Sequence, residues 1–137
     1  MSKENVDMIT AGYARHGMGF SLSKWNPDAV LELFDASIEW VEPDVPGLPW
    51  QGIHRGPQAV AEKVFATISA FEELELEPKA LVDLGDYVLV LGEGSLRAKG
   101  TGKRWNGPFA HVWTVRDGKI VRWQGFADAR SVAEVFN

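Results

Sequence analysis

The chain contains no cysteine among its 137 residues. Disulfide bonds, thiolate ligands and a nucleophilic thiol are therefore excluded as sources of stability or chemistry. No stretch is long and apolar enough to span a bilayer, and residues 1–13 contain no apolar segment of the kind found in signal peptides. We therefore expect a cytoplasmic protein that does not associate with membranes.

Positive charge is sparse and scattered. Lys and Arg number 14 against 19 Asp and Glu, which gives a net charge of −5. A nucleic-acid-binding surface needs a concentrated basic stripe, so we expect no nucleic-acid partner. The three histidines have no metal-ligand spacing, and the glycines of "KGTGK" at 99–103 are not followed by the helix that a phosphate loop requires. We expect neither a metal nor another cofactor.

Large aromatic residues are abundant. Six tryptophans and seven phenylalanines occur in a chain whose length suits one domain, residues 1–137. Rings in this number can fill a core, and they can also line a cavity for a small hydrophobic molecule.

Apolar spacing predicts helices in the first half of the chain and strands in the second. Helical periodicity covers about 4–16, 26–36 and 56–71, with Asn26 as the N-cap of the second helix. A strand at 37–43 and a loop rich in Pro and Gly at 44–56 precede the third helix. Two-residue alternation predicts strands at 74–84, 87–99, 104–115 and 119–127, and a short helix follows at 129–137. The fold class is α+β, with helices on one face of an antiparallel sheet.

The strand at 104–115 is apolar on both faces. Its odd positions include Trp105 and Phe109, and its even positions include Pro108 and Val112. The helices can cover one face, and a second copy of the chain is the simplest cover for the other. We therefore expect a homodimer that forms through the open sheet face.

Three stretches carry a family resemblance: "NPDAVLELFDASIEWVEP" at 26–43, "WQGIHRGPQAVAEKV" at 50–64 and "HVWTVRDGKIVRWQGFAD" at 111–128. Their order and spacing resemble the ketosteroid isomerase-like fold, also called nuclear transport factor 2-like, and within it the SnoaL-like branch related to polyketide cyclases. The resemblance implies a cone-shaped α+β barrel of cystatin-like topology. Its strongly curved, mostly antiparallel sheet would enclose a deep apolar pocket.

The resemblance also implies candidates for proton transfer. Asp128 matches an aspartate that SnoaL-like cyclases and limonene epoxide hydrolases carry near the pocket floor, where an apolar environment raises a carboxyl pKa toward neutrality. Alternatively, Asp128 caps the final helix. Tyr13 matches the oxyanion tyrosine of ketosteroid isomerases, or it is a core residue of the first helix. The isomerase base corresponds to Trp40, or to Glu42 if a short insertion is allowed.

Two motifs of related enzymes are missing. Ala110 stands where isomerases have an oxyanion-binding aspartic acid, and Gly92-Glu93-Gly94 stands where epoxide hydrolases have Arg-x-Asp. Steroid isomerisation and epoxide hydrolysis are therefore disfavoured. Glycines inside a strand instead indicate a bulge or the close approach of another group.

Substrate contacts follow from the same resemblance. It places Ala110 and Val112 on the pocket face of their strand, which directs His111 toward the dimer face. The alternative is that His111 faces the pocket as a partner in proton transfer, since its reference pKa lies near neutrality. Trp50 and Trp123 are the preferred ligand contacts. The remaining predicted contacts at the wall or rim are Trp40, Phe126 and His54, with solvation beside Arg55 as the alternative for His54.

Three classes of function follow from these features. The first is a cofactor-independent isomerase, cyclase or hydrolase that uses acid/base chemistry on a small hydrophobic carbonyl-type substrate. The second is a binding or accessory module that keeps the pocket without the chemistry, and a dimeric scaffold with a filled cone is a third reading.

Overall fold

Helices precede most of the strands along the chain, as the apolar spacing predicts. The computed structural model describes residues 2–18 and 21–137. The elements in order are α1 (Ser2–His16), α2 (Pro27–Leu31), β1 (Phe34–Val41), β2 (Ile53–Arg55), α3 (Pro57–Lys63), a 3₁₀ helix (Phe65–Ala70), β3 (Phe71–Leu84), β4 (Tyr87–Ala98), β5 (Arg104–Arg116), β6 (Lys119–Phe126) and α4 (Ala129–Glu134).

The six strands form one sheet in the order β2-β1-β6-β5-β4-β3. The pairing is antiparallel except between β1 and β6, which run parallel. The predicted α+β class and the mostly antiparallel sheet are therefore confirmed. Because β2 and β3 are both edge strands and do not pair, the curled sheet stays open and is not a closed barrel.

Local sequence signals explain several element ends. The side chain of Asn26 accepts a hydrogen bond from the Ala29 N–H at 3.2 Å and so caps α2, as predicted. The β5–β6 hairpin turns at Asp117 and Gly118, which both have positive φ, 50° and 75°. Two such residues in succession match the right-handed twist of the paired strands.

Three boundaries differ from the sequence prediction. The second helix ends at Leu31 because Phe34 already enters β1, level with Ile120 of β6. The predicted helix at 56–71 is divided into α3 and the 3₁₀ helix, and Phe71 begins β3. The loop at 44–56 contains a short strand, β2, between glycines with positive φ at both ends that let the chain turn onto β1.

The buried residues form two apolar clusters. One joins α1 and α3 to the inner face of the sheet around Ile9, Trp40 and Trp113. The other joins α4 to the start of β3 and the end of β4, around Phe71, Leu96 and Val132. The site described below lies where these clusters meet. In the part of the chain that the structure describes, no helix combines the length and apolar character needed to cross a membrane.

Candidate active site

An apolar pocket lies between the inner face of the sheet, the 3₁₀ helix and α4. Its cavity has a volume of about 110 Å³. In other proteins an apolar cavity of about 150 Å³ binds benzene. The wall takes residues from both apolar clusters, such as Val64 and Phe109 from one and Leu74 and Val132 from the other. The cavity therefore has the size of about one ring, and a larger ligand would extend into the mouth of the pocket.

Three aromatic rings lie over glycines of the strands and form much of this wall. A Cβ at Gly125 would come within 2.2 Å of the Trp123 ring. The corresponding distances are 2.6 Å between Gly107 and the Trp105 ring and 2.6 Å between Gly92 and the Phe109 ring. The close approach predicted for the glycines of β4 is thus confirmed at Gly92, and these glycines allow rings to lie against the backbone.

Glu42 brings a carboxyl group into this apolar wall. The inward alternation of β1 at Ile38 and Trp40 continues to Glu42, whose side chain accepts a hydrogen bond from Trp40 Nε1 at 3.0 Å. The residue is only 8% exposed. Burial raises the pKa of the Glu42 carboxyl from 4.5 to about 8, while the Trp40 hydrogen bond opposes the shift. At neutral pH the group is mostly a neutral acid, with a pKa suited to both donating and accepting a proton.

His111 is the second titratable group in the pocket wall. Its Nδ1 lies 2.5 Å from the Tyr13 hydroxyl oxygen, which in turn accepts a hydrogen bond from Trp113 Nε1 at 3.0 Å. All three side chains are buried, Tyr13 and His111 each being 5% exposed. Burial lowers the pKa of His111 to about 3 and raises the pKa of Tyr13. The imidazole and the phenol are therefore both neutral across the physiological pH range.

Glu42 and His111 lie on either side of a glycine in the same row of the sheet. Val41 is level with Gln124, so Glu42 follows level with Gly125, and Gly125 pairs with His111. Adjacent strands are about 4.8 Å apart, which places the two outer Cα atoms about 10 Å from each other. Because the middle position has no side chain, the carboxyl and the imidazole face the same space above the Trp123 ring.

Four of the predicted site residues line this pocket: Glu42, Trp50, Trp123 and Phe126. Trp40 lies beneath them, its ring stacked on that of Trp123 with centroids 4.0 Å apart. Its part in the site is to support Trp123 and to hydrogen-bond Glu42.

Asp128 does not occupy the predicted place near the pocket floor. Its side chain is exposed and accepts hydrogen bonds from the Ser131 N–H at 3.3 Å and the Ser131 hydroxyl at 2.8 Å. The residue is the N-cap of α4, which is the alternative that the sequence left open. The neighbours Ala127 and Ala129 line the pocket while the carboxylate between them points outward.

The predicted faces of β5 are interchanged. His111 faces the pocket, whereas Ala110 and Val112 lie on the opposite, partly open face and are not substrate contacts. Two-residue alternation could not decide between the faces because both are apolar. Tyr13 lies behind His111 and outside the pocket wall. His54 also lies outside it, with Nε2 3.1 Å from the Trp50 carbonyl oxygen.

Several wall residues were not predicted as site residues. They include Trp105 and Phe109 of β5 and Leu74, Leu76 and Leu96 of β3 and β4. For His111, the pocket position was the less favoured of two alternatives. The signal available in the sequence was the set of strand glycines, Gly92, Gly107 and Gly125, because each accommodates a ring on the pocket face. Among the described residues, no group of three His, Asp or Glu side chains could hold a metal ion.

Comparisons with known proteins extend this description. A family model described as a SnoaL-like domain matches residues 21–123. No curated protein matches the sequence significantly. Solved structures do: NTF2-like proteins from Burkholderia thailandensis and Burkholderia xenovorans are each 28% identical, with TM-scores of 0.81 and 0.82. The first match covers 96% of both chains, and the second covers 100% of this chain and 98% of the other.

Two further structures are similar. TerC, co-crystallized with polyporic acid, is 26% identical with a TM-score of 0.80, over 97% of this chain and 98% of the other. A putative SnoaL-like polyketide cyclase from Jannaschia is 16% identical with a TM-score of 0.80, over 98% of this chain and 92% of the other. At that identity the likeness is one of fold.

Proposed function

The chain belongs to the SnoaL-like domain family, and from that premise we propose that it is a cofactor-independent enzyme for a small, flat, hydrophobic carbonyl compound. Its acid/base group is Glu42. The observation that supports this proposal most directly is a buried carboxyl group in an aromatic pocket, with its pKa raised to about 8. A group with that pKa exchanges protons readily near neutral pH.

The shape and polarity of the pocket support the ligand class. Rings lying over strand glycines offer flat apolar surfaces to a planar molecule. The indole N–H of Trp123, a wall residue, has no hydrogen-bond partner among the described residues, so an acceptor oxygen that reached it would satisfy a buried donor. The similar protein TerC was co-crystallized with polyporic acid, and we propose a ring-containing ligand for this chain as well.

The proposed chemistry is proton transfer next to the carbonyl. Ionised Glu42 takes a proton from the carbon beside the carbonyl, and the C–H electron pair moves toward the carbonyl oxygen. The same carboxyl group then returns the proton to another carbon of the conjugated system, so the net result is isomerisation without gain or loss of atoms. The apolar surroundings keep Glu42 basic enough for this step because they disfavour its ionised form.

Proton exchange in heavy water tests this proposal before the natural substrate is known. Native mass spectrometry first establishes which members of a panel bind, including polyporic acid and α-tetralone. The exchange of the α-hydrogens of α-tetralone in D₂O is then followed with the parent protein, Glu42→Gln and the control Glu93→Gln, whose side chain is exposed on β4. We expect catalysed exchange that falls by about 10²–10⁴-fold in Glu42→Gln alone.

A non-catalytic binding module is the second candidate. One observation favours it: the aspartate to which the resemblance assigns proton transfer, Asp128, faces solvent and caps α4. This alternative predicts that α-tetralone binds without catalysed exchange, and that Glu42→Gln changes neither result. Exchange that depends on Glu42 would refute it.

We also propose that the chain forms a homodimer through the outer face of the sheet. Leu91 and Ala110 are neighbours in one row across β4 and β5, Leu89 and Val112 are neighbours in the next row, and Leu91 is 42% exposed. Exposed apolar side chains in a continuous patch are typical of protein interfaces. Light scattering at micromolar concentration should give twice the 15.2 kDa chain mass, and Leu91→Glu should give the monomer. A monomeric parent protein would contradict the proposal.

A further inference from the structure

The two ring nitrogens of His111 have different surroundings: Nδ1 contacts a protein side chain, whereas Nε2 is available to a ligand in the pocket. Nδ1 is 2.5 Å from the Tyr13 hydroxyl oxygen, on the side away from the cavity, since Tyr13 is not a wall residue. No hydrogen bond from the described residues reaches Nε2. The ring itself is part of the pocket wall, packed beside Phe109 and Trp123 with centroids 4.5 Å and 4.9 Å away.

The hydrogen bonds behind the ring determine where its proton lies. An indole N–H can only donate, so the Tyr13 oxygen accepts the bond from Trp113. If His111 carried its proton on Nδ1, it too would donate to that oxygen, and the Tyr13 hydrogen would have no acceptor. Buried polar hydrogens without acceptors are rare in proteins. The arrangement that satisfies every group has Tyr13 donating to Nδ1, with the imidazole proton on Nε2.

We propose that Trp113 and Tyr13 act as positioning residues that hold His111 as the neutral Nε2–H tautomer, and that this N–H donates a hydrogen bond to a carbonyl or quinone oxygen in the pocket. The ligand class rests on the proposed function, whereas the position of the proton rests on the three side chains alone. Burial supports the neutral state by keeping the pKa of His111 near 3. A neutral imidazole polarises an acceptor oxygen by hydrogen bonding without giving up its proton.

The role of Tyr13 differs from the one that the family resemblance implies. Its hydroxyl is hydrogen-bonded to both Trp113 and His111 and lies outside the pocket wall. Tyr13 therefore acts on a ligand only through His111. Strand β6 lies between β1, which leads into Glu42, and β5, which carries His111. Gly125 of β6 therefore lies between the two side chains. A carbonyl oxygen bound at His111 therefore places the rest of the ligand above Trp123, toward the Glu42 carboxyl.

Nitrogen-15 NMR of the ligand-free protein tests the tautomer directly. Long-range proton–nitrogen spectra of His111 should show a protonated Nε2 and an unprotonated Nδ1, unchanged between about pH 5 and about pH 8. In Tyr13→Phe the preference for one tautomer should be lost, while Tyr87→Phe, at the other tyrosine of the chain, should leave it intact. A protonated Nδ1 in the parent protein, or a His111 that titrates in this range, would overturn the proposal.

Paired probes test the donor role. α-Tetralone and tetralin share a ring skeleton and differ by the carbonyl oxygen, so the ratio of their dissociation constants measures how well that oxygen is bound. His111→Phe should reduce the preference for α-tetralone by about fivefold, the size expected for one hydrogen bond, and His111→Gln should retain part of it because its amide can still donate. An unchanged ratio in His111→Phe would refute the donor role. If the parent protein binds neither probe, the proposed ligand class fails, and NMR alone decides the tautomer.

Discussion

Replacing Glu42 with Gln removes a buried titratable group while keeping its shape. The side-chain oxygen of Gln can still accept the hydrogen bond that Trp40 Nε1 now donates to Glu42 at 3.0 Å. What changes is the dependence of stability on pH. The folded protein holds the Glu42 proton up to a pKa of about 8, whereas an unfolded chain releases it near 4.5. Above 4.5, ionisation therefore favours the unfolded state, and stability falls until the pH passes about 8.

The magnitude follows from the difference between the two pKa values. Each pKa unit corresponds to about 1.4 kcal/mol. Between about pH 5 and about pH 8, the parent protein should therefore lose roughly 3 kcal/mol of unfolding free energy relative to Glu42→Gln. This is a large fraction of the 5–15 kcal/mol or so that is typical of small domains.

Urea unfolding at several pH values measures this difference. The two proteins should be closest in stability near pH 5, and Glu42→Gln should become progressively the more stable as the pH rises. Glu93→Gln is the matched control, since its exposed side chain makes the same chemical change at the surface. Parallel stability curves for the parent and Glu42→Gln would refute the conclusion that Glu42 is buried as a neutral acid.

Three further substitutions test the structure around the pocket. Gly125→Ala should destabilise the protein by about 1–3 kcal/mol in urea unfolding, because the new Cβ would lie 2.2 Å from the Trp123 indole. Gly100→Ala is the control: its Cβ would meet nothing within 4 Å, so the stability should hardly change. Asp128→Ala should cost about 1 kcal/mol through the lost cap of α4 and leave α-tetralone exchange unchanged; loss of exchange would return Asp128 to the site. Trp40→Phe removes the hydrogen bond that lowers the pKa of the Glu42 carboxyl, so this pKa should rise further. Urea unfolding at several pH values should then show the fall in stability extending to higher pH.

Much of the fold was predictable because its signals are local. Period-two alternation indicated β3 to β6 within a few residues, and Asp117-Gly118 marked the last hairpin. Asn26 indicates the start of α2, but the helix ends at Leu31, earlier than its apolar spacing predicts. The helix from 56 to 71 was predicted as one element, because its apolar spacing does not reveal that Phe71 packs in the sheet.

The candidate site was predictable only in part. Glu42, Trp50 and Trp123 were named from the resemblance and lie in the pocket wall, while Asp128, which the resemblance favoured most, lies outside it. The capping signal for Asp128 was present in the sequence beside the catalytic one. The choice between the cap and the catalytic role depends on the direction of the Asp128 side chain. That direction is set by the turn from β6 into α4, which only the tertiary structure shows.

Periodicity and composition alone predict the α+β class and the apolar, aromatic interior, and the family follows from the resemblance carried by residues 26–43, 50–64 and 111–128. The tertiary structure decided which face of β5 became the pocket. Both faces of that strand are apolar, and a shift of one residue exchanges them without changing the pattern. Pairing with β4 and β6 settled the choice by placing His111 beside Gly125 and against Tyr13, which lies 98 residues away along the chain. Proximity of that kind arises only when the chain has folded, and it determines which polar groups a ligand would meet.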